Sequence, residues 1–285
     1  MPAFLRDAAG RIGYLGPEPD RWRSTTEPFL KNAQEPDHYI DLERLEGFGE
    51  LPVGRYEFYK RLYEKRAALG GPKGDDLLPE KVGLQPYITM EVYGRLKAAL
   101  REYRGLKAAG KDTHAVEQAA VFYAGWLGHY VADGSQPLHT TIHYNGWIGD
   151  NPHGYSTKND IHWKFEGPFA AANLSEKQFA GLIKEPVKLA DPFHDYLAYL
   201  QESFTLVPSV YELEKKAALE GGGTRESIEF TRQRLAAGAQ MLLNMWYTAW
   251  IESAEPLPPP PAPATPAPVS PSTQPPAASN QPPKL

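Results

Sequence analysis

HAVEQAAVFYAGWLGHYVADGSQPLH, residues 114–139, decides how the rest of the chain reads. Val116, Ala120, Tyr123, Leu127 and Tyr130 recur at three- and four-residue steps, which sets an apolar row along a helix at about Thr113–Asp133. Phe122, Trp126, His129 and Asp133 continue along a second row beside it. A helix apolar over so much of its circumference belongs inside the molecule, so His129 and Asp133 face the interior, one turn apart on the same side. A buried carboxylate needs either a hydrogen-bonded ion partner or a metal. Gly134, Ser135 and Pro137 then end the helix, and His139 follows on the turn.

Outward from this stretch, long segments rich in Ala, Leu, Glu, Lys and Arg dominate and alternating β-branched runs are few, which predicts an all-α protein. Further helices are expected at about Arg55–Leu69, Tyr87–Ala109, Lys158–Ala172, Glu176–Phe204, Pro208–Leu219 and Arg225–Glu252. On the last of these, Ile228, Leu235, Ala239, Leu242, Trp246 and Trp250 mark the face that packs on the core. The long connection 140–157 carries Trp, Tyr, His and Asn, so it is expected to be ordered and functional. With no internal repeat and no linker before the tail, the economical organisation is one compact multi-helix domain, 1–254, followed by a disordered Pro/Ala-rich tail, 255–285. Residues 256–285 hold 13 of the 28 prolines in no regular recognition spacing, so the tail reads as a solvated spacer.

Composition narrows the chemistry. The chain has 285 residues, 41% of them apolar, enough for a sizeable core. A formal charge of −5 gives no basic footprint for duplex binding, so an anionic ligand must be attracted locally, as bound dications would do. Cysteine is absent, which removes thiol catalysis and thiolate sites and leaves His, Asp and Glu as metal ligands. No run is long enough for a transmembrane helix, and MPAFLRDAAGRIGYLG lacks the apolar core of a signal peptide.

HWKFE repeats the pairing of residues 129 and 133, because His162 and Glu166 also lie one turn apart. Two His–carboxylate pairs on neighbouring helices, with His139 between them, suit a metal that takes nitrogen and oxygen ligands, zinc first. His194 and His114 read as surface or packing residues. His143 and His153, on the long connection, are left outside the metal set. Glu-x-x-His pairs of the ferritin-like kind are not evident.

The pattern His129-x3-Asp133-x5-His139 followed by His162-x3-Glu166, with the turn Gln136–His139 reading QPLH, resembles the metal signature of the zinc-dependent phospholipase C and single-strand-specific nuclease superfamily. HYID at His38–Asp41 resembles that superfamily's HFID-like segment, and DRWR at Asp20–Arg23 resembles its nuclease Asp-x-x-Arg segment. The resemblance implies one zinc held by Asp20, His38, His129 and Asp133, and another held by His139, His162 and Glu166. It implies Arg23 on the reacting phosphate, Tyr39 stacking on a nucleobase and Asp41 hydrogen-bonding it, with Asp133 as the residue shared with a third zinc. The second zinc would keep an open position for water or substrate. The gap of 23 residues from His139 to His162 resembles the nuclease branch, whereas Glu166 in place of an Asp resembles the phospholipases.

The third zinc of that superfamily uses the amino terminus of a Trp and a nearby His, and this sequence has neither a leading Trp nor a His before His38. A start downstream of the true one would remove export signal and third-zinc ligands together; a divergent member with fewer metals is the other explanation. The resemblance implies a periplasmic or secreted monomer that hydrolyses phosphodiesters in single-stranded DNA or RNA, by attack of a metal-bound hydroxide on phosphorus. The alternatives are a phospholipase C acting on phospholipid head groups and a metal-binding helical domain impaired in catalysis.

Overall fold

Among the described residues six helices are nine or more residues long: α1 Arg55–Leu69, α2 Gln85–Ala108, α3 His114–Ser135, α4 Pro192–Thr205, α5 Val207–Lys215 and α6 Arg225–Glu252. The computed structural model describes residues 1–23 and 26–256; the tail expected to be disordered lies, from Leu257 onward, outside the described residues. Among the described residues the only β pairing is two isolated bridges, so the protein is all-α. Contacts between residues divide the chain into two units, Met1–Ala254 and Glu255–Leu285, and all six helices belong to the first. No helix of the described residues is long and apolar enough to cross a membrane.

The α3 helix is central because its apolar surface goes most of the way round. Ala120, Val121, Ala124, Leu127, Tyr130 and Val131 are all buried, and α2, α4, α6 and the short helix Ala9–Leu15 pack on it. Its C-terminal end is held by side chains from two other helices. The Tyr196 and Tyr199 hydroxyls of α4 donate to the carbonyls of Tyr130 (2.9 Å) and Val131 (2.8 Å), and Ser203 donates to Gly134 O (2.6 Å). Arg234 of α6 donates through Nε to Ser135 O (2.9 Å), a cation where the helix dipole favours one. Gly134 permits this approach: a Cβ there would lie 2.8 Å from both Tyr196 Oη and Tyr199 Cε1.

The stripe on α6 packs as expected, through Leu242, Trp246 and Trp250 on the main apolar cluster and Ile228 on the second, although it stays half-buried. A line of Ser227, Thr231, Arg234, Gly238, Met245 and Ala249 on the same helix is buried more deeply. Small and polar residues occupy it because it accepts other chain segments at close range. The expected helix Glu176–Phe204 is broken: short turns at Glu176–Phe179 and Ala180–Leu182 give way to an extended stretch, and α4 begins only at Pro192. Pro186 and Pro192 disfavour helical backbone before them, and Asp191 caps α4 by accepting from Phe193 N and His194 N. The extended stretch lies along α6, whose Gln240, Asn244 and Thr248 accept from the amides of Lys184 (2.6 Å), Val187 (3.1 Å) and Leu189 (2.9 Å). Those side chains, four residues apart, stand in for a partner strand.

The expected helix Lys158–Ala172 is also shorter and irregular: Ile161–Lys164 is α-helical, Phe165–Phe169 is a π turn and Ala170–Asn173 is α-helical again. Pro168 has no N–H and its ring crowds the carbonyl four residues back, which widens the turn. Ile161, Phe165 and Phe169 join Leu138, Tyr155, Val210 and Tyr211 in a second apolar cluster. That cluster orders the 140–157 connection: Trp147 packs against it, and Tyr211 Oη donates to His143 O (2.5 Å) and accepts from Gly146 N (3.1 Å).

Candidate metal centre

Backbone stitching brings residues about a hundred positions apart into one site. The turn Glu35–His38 and the residues after it are strapped to 82–85 through Asp41 N to Val82 O (2.7 Å), Leu84 N to Pro36 O (2.7 Å) and Gln85 N to Tyr39 O (3.2 Å). The strap requires glycine at 83, where φ is +89° and a Cβ would meet Tyr39 O at 2.1 Å. The turn Pro137–Thr140 is capped by Gln136, whose side chain accepts from Leu138 N (2.9 Å). It joins the first strap through Ile40 N to His139 O (2.9 Å).

Two groups of metal-competent side chains result among the described residues: Asp20, His38 and His129, and His139, His162 and Glu166, with ligand atoms within 4.8 Å of one another in each. Asp133 closes the first group. Its Oδ2 lies 3.1 Å from His38 Nδ1 and 3.4 Å from His129 Nε2; the two histidine nitrogens are 3.0 Å apart, and Asp20 Oδ1 is 3.9 Å from His129 Nε2. Asp133 and His38 are buried, whereas Asp20 is exposed.

In the second group Glu166 Oε2 lies 2.8 Å from His162 Nε2 and 3.3 Å from His139 Nε2. Both histidines are oriented from behind: His139 Nδ1 donates to His38 O (2.6 Å) and His162 Nδ1 to Tyr144 O (3.2 Å), so the Nε2 atoms converge on the carboxylate. Gln136 Nε2 also donates to Glu166 Oε2 (3.4 Å). The groups meet where His139 Nδ1 stands 4.0 Å from Asp133 Oδ2.

These distances fit an ion. Tetrahedral ligands held at about 2.0–2.1 Å place neighbouring donor atoms about 3.3 Å apart, and the separations run from 3.0 to 3.9 Å in the first group and are 2.8 and 3.3 Å in the second. The donor set, imidazole nitrogen and carboxylate oxygen without thiolate, suits a borderline divalent cation.

Charge in the metal-free site is balanced by protons. Burial alone would raise the Asp133 carboxyl, but the imidazoles of His129, His139 and His38 hold it down at about 2. Burial would lower His139, yet Asp133 and Glu166 push it up to about 9. Burial likewise opposes ionisation of Glu166, which His139 and His162 nevertheless hold below the usual carboxylate range. His38 is lowered by burial, outweighing Asp133. An ion would take over the role of the His139 proton, so metal uptake would release protons.

Both groups reach a cavity of about 790 Å³, the first through His38 and the second through all three of its members. Arg23, Tyr39 and Asp41 line the same cavity. Arg23 holds Asp20 Oδ1 through Nε and a terminal nitrogen, each at 2.9 Å. The Tyr39 hydroxyl donates to Glu80 O (2.5 Å), which fixes its ring. Asp41 accepts from Arg44 Nε (2.9 Å), and burial raises its carboxyl to about 6 against the pull of that guanidinium.

Several residues at the cavity or supporting it escaped the sequence reading. Arg44 bridges Asp41 and Asp76, signalled only by its place three residues after Asp41. Glu43 ties the two histidine turns together by accepting from the Thr141 hydroxyl and from Ile142 N (3.1 Å). Tyr144 and Trp163 are exposed on the cavity wall, one from the long connection and one beside His162. Of that connection's other aromatics, Trp147 and Tyr155 serve packing, and His143 stacks on Trp147 with ring centroids 3.8 Å apart.

Comparison with known proteins gives no match: no family model matches this chain, and neither a curated protein nor a solved structure matches it.

Proposed function

We propose that this protein is a zinc-dependent phosphodiester hydrolase acting on single-stranded nucleic acid. The observation that carries the reading is the 4.0 Å approach of Asp133 to His139, which joins two His–carboxylate groups into one centre beside a cavity. Zinc bound there would supply Lewis acidity and a water that ionises near neutral pH. The chain's own residues do the rest. His139 and His162, with Nδ1 committed to backbone carbonyls, present Nε2 as a ligand, and Asp133 links the two groups. Arg23 uses two nitrogens on Asp20 and offers the remaining one to a phosphoryl oxygen, where it offsets developing negative charge. Tyr39, held by Glu80, stacks on an unpaired base, and the Asp41 carboxyl takes a hydrogen bond from that base's edge. Such a centre would work in a periplasmic or secreted setting.

A phospholipase C is the second reading, favoured by Glu166 as the second group's carboxylate and by the exposed Tyr144 and Trp163 at the cavity. The test is to load the chain with zinc and assay single-stranded DNA and RNA beside phosphatidylcholine, with a chelated control. Nucleotide release that stops on chelation supports the nuclease. Phosphocholine release without nucleotides would replace it by the second reading, and neither product would reduce the centre to a metal-binding one.

A further inference from the structure

Trp163 has no structural duty that accounts for it. It sits in the turn Ile161–Lys164, whose Ile161 and following Phe165 are buried in the second apolar cluster, while the indole points the other way and is 70% exposed. It nevertheless lines the cavity, next in sequence to the ligand candidate His162. Gly167 leaves the ring uncovered: a Cβ at 167 would already lie 3.8 Å from the Trp163 indole nitrogen, so a larger side chain would begin to shield it. What sets Trp163 apart from exposed rings elsewhere, such as Phe29 and Tyr56, is its place on the wall of the cavity, where it offers a ligand a flat apolar face.

Its counterpart is Tyr39. Tyr39 follows His38 of the first group, Trp163 follows His162 of the second, and the two groups abut through Asp133 and His139. A phosphodiester has two ester arms, and both aromatics line the one cavity that the two groups reach. We infer that Trp163 is a second base-stacking station, so that the site takes a dinucleoside unit with one unpaired base on Tyr39 and the other on Trp163. The inference rests on the nuclease reading and extends it: the preferred substrate carries bases on both sides of the scissile phosphate. Stacking on an aromatic ring tolerates any base, so Trp163 selects for a base rather than for its identity.

The test compares zinc-loaded wild type, Trp163→Leu, Trp163→Phe and Tyr39→Leu on thymidine dinucleotide, on its two analogues lacking one base, and on phosphatidylcholine. Trp163→Leu is expected to lower kcat/KM on the full dinucleotide about tenfold, and Trp163→Phe less than Leu. On one analogue Trp163→Leu should have no effect, and on the other Tyr39→Leu should have none. A cleavage-resistant phosphorodithioate dinucleotide should quench indole emission in the wild type and quench it less in Trp163→Phe, with zinc content equal in both. Equal losses on all three substrates, or an unchanged quench, would overturn the station while leaving the hydrolase reading in place. Loss confined to phosphatidylcholine hydrolysis would overturn it in favour of a lipid contact, and no cleavage of any dinucleotide by wild type would overturn the nuclease reading with it.

Discussion

The two ligand groups are held in different ways. In the first, His129 and Asp133 stand on the end of α3, clamped by Tyr196, Tyr199, Ser203 and Arg234, and His38 is buried, its Nε2 without a hydrogen-bond partner. Burial and packing keep that group in place, and its electrostatics follow from three imidazoles around one carboxylate. In the second, Glu166 rides on a π turn with its side chain 46% exposed, and the two histidines are aimed by hydrogen bonds to His38 O and Tyr144 O. The difference teaches a division of labour: one set anchored on a rigid helix end, with Asp133 and His38 buried behind an exposed Asp20, and one set on turns that reaches the cavity with every member.

The largest effect should come from breaking what the groups share. Asp133→Asn removes the charge that faces His38, His129 and His139, and should weaken metal binding at both groups by more than the roughly 10–100-fold typical of outer-shell changes. The metal-free chain should lose about 1.5–3 kcal/mol, as for a charged hydrogen bond. Chelator competition and urea unfolding measure the two quantities; weakening at one group alone would show that Asp133 does not link them.

A smaller effect separates the groups. Gln136→Ala removes the donor to Glu166 and the cap on the Pro137 turn, and should lower metal affinity at the second group about tenfold while sparing the first. Titration with a chromophoric chelator resolves this, and an equal loss at both would contradict independent support.

Separate from both is the pH dependence of the metal-free chain. His139 is opposed by burial yet raised to about 9, so its contribution to stability is full below an unfolded value of about 6.5 and is lost as pH rises through about 9. Asp133, opposed by burial yet held at about 2, contributes fully above an unfolded value of about 3.9 and loses that as pH falls through about 2. Unfolding of chelated protein should therefore show a shoulder from these two groups on each side of about pH 4 to 6.5, superposed on the decline with rising pH that the raised Asp41 carboxyl gives between about pH 4 and 6. Asp133→Asn should lower both shoulders.

Long elements with one dominant period were legible in the sequence: α1 and α6 have the bounds read from their spacing, Arg55–Leu69 and Arg225–Glu252. Which side of α6 is buried was not legible, because Thr231, Arg234, Asn244 and Thr248 look like a solvent face until the chain segments they bind are present. Pro186 and Pro192 carried the local signal for the break before α4, overridden in the reading by the helix formers around them. The candidate ligands His129, Asp133, His162 and Glu166 could be read because His–carboxylate steps of four survive translation into geometry, whereas Asp20 and His38 were implied only by the family resemblance. Glu43 and the reach of Arg44 to Asp76 could not, since their partners Thr141, Ile142 and Asp76 are distant in sequence.

Metal stoichiometry of the full chain, measured by titrating zinc into chelated wild type and Glu166→Gln in parallel with single-strand hydrolysis, bears on the whole proposal at once. The two-group centre requires two ions per wild-type chain, one in Glu166→Gln, and hydrolysis that disappears with the second ion. The same stoichiometry in both proteins, or hydrolysis that survives the substitution, would contradict it.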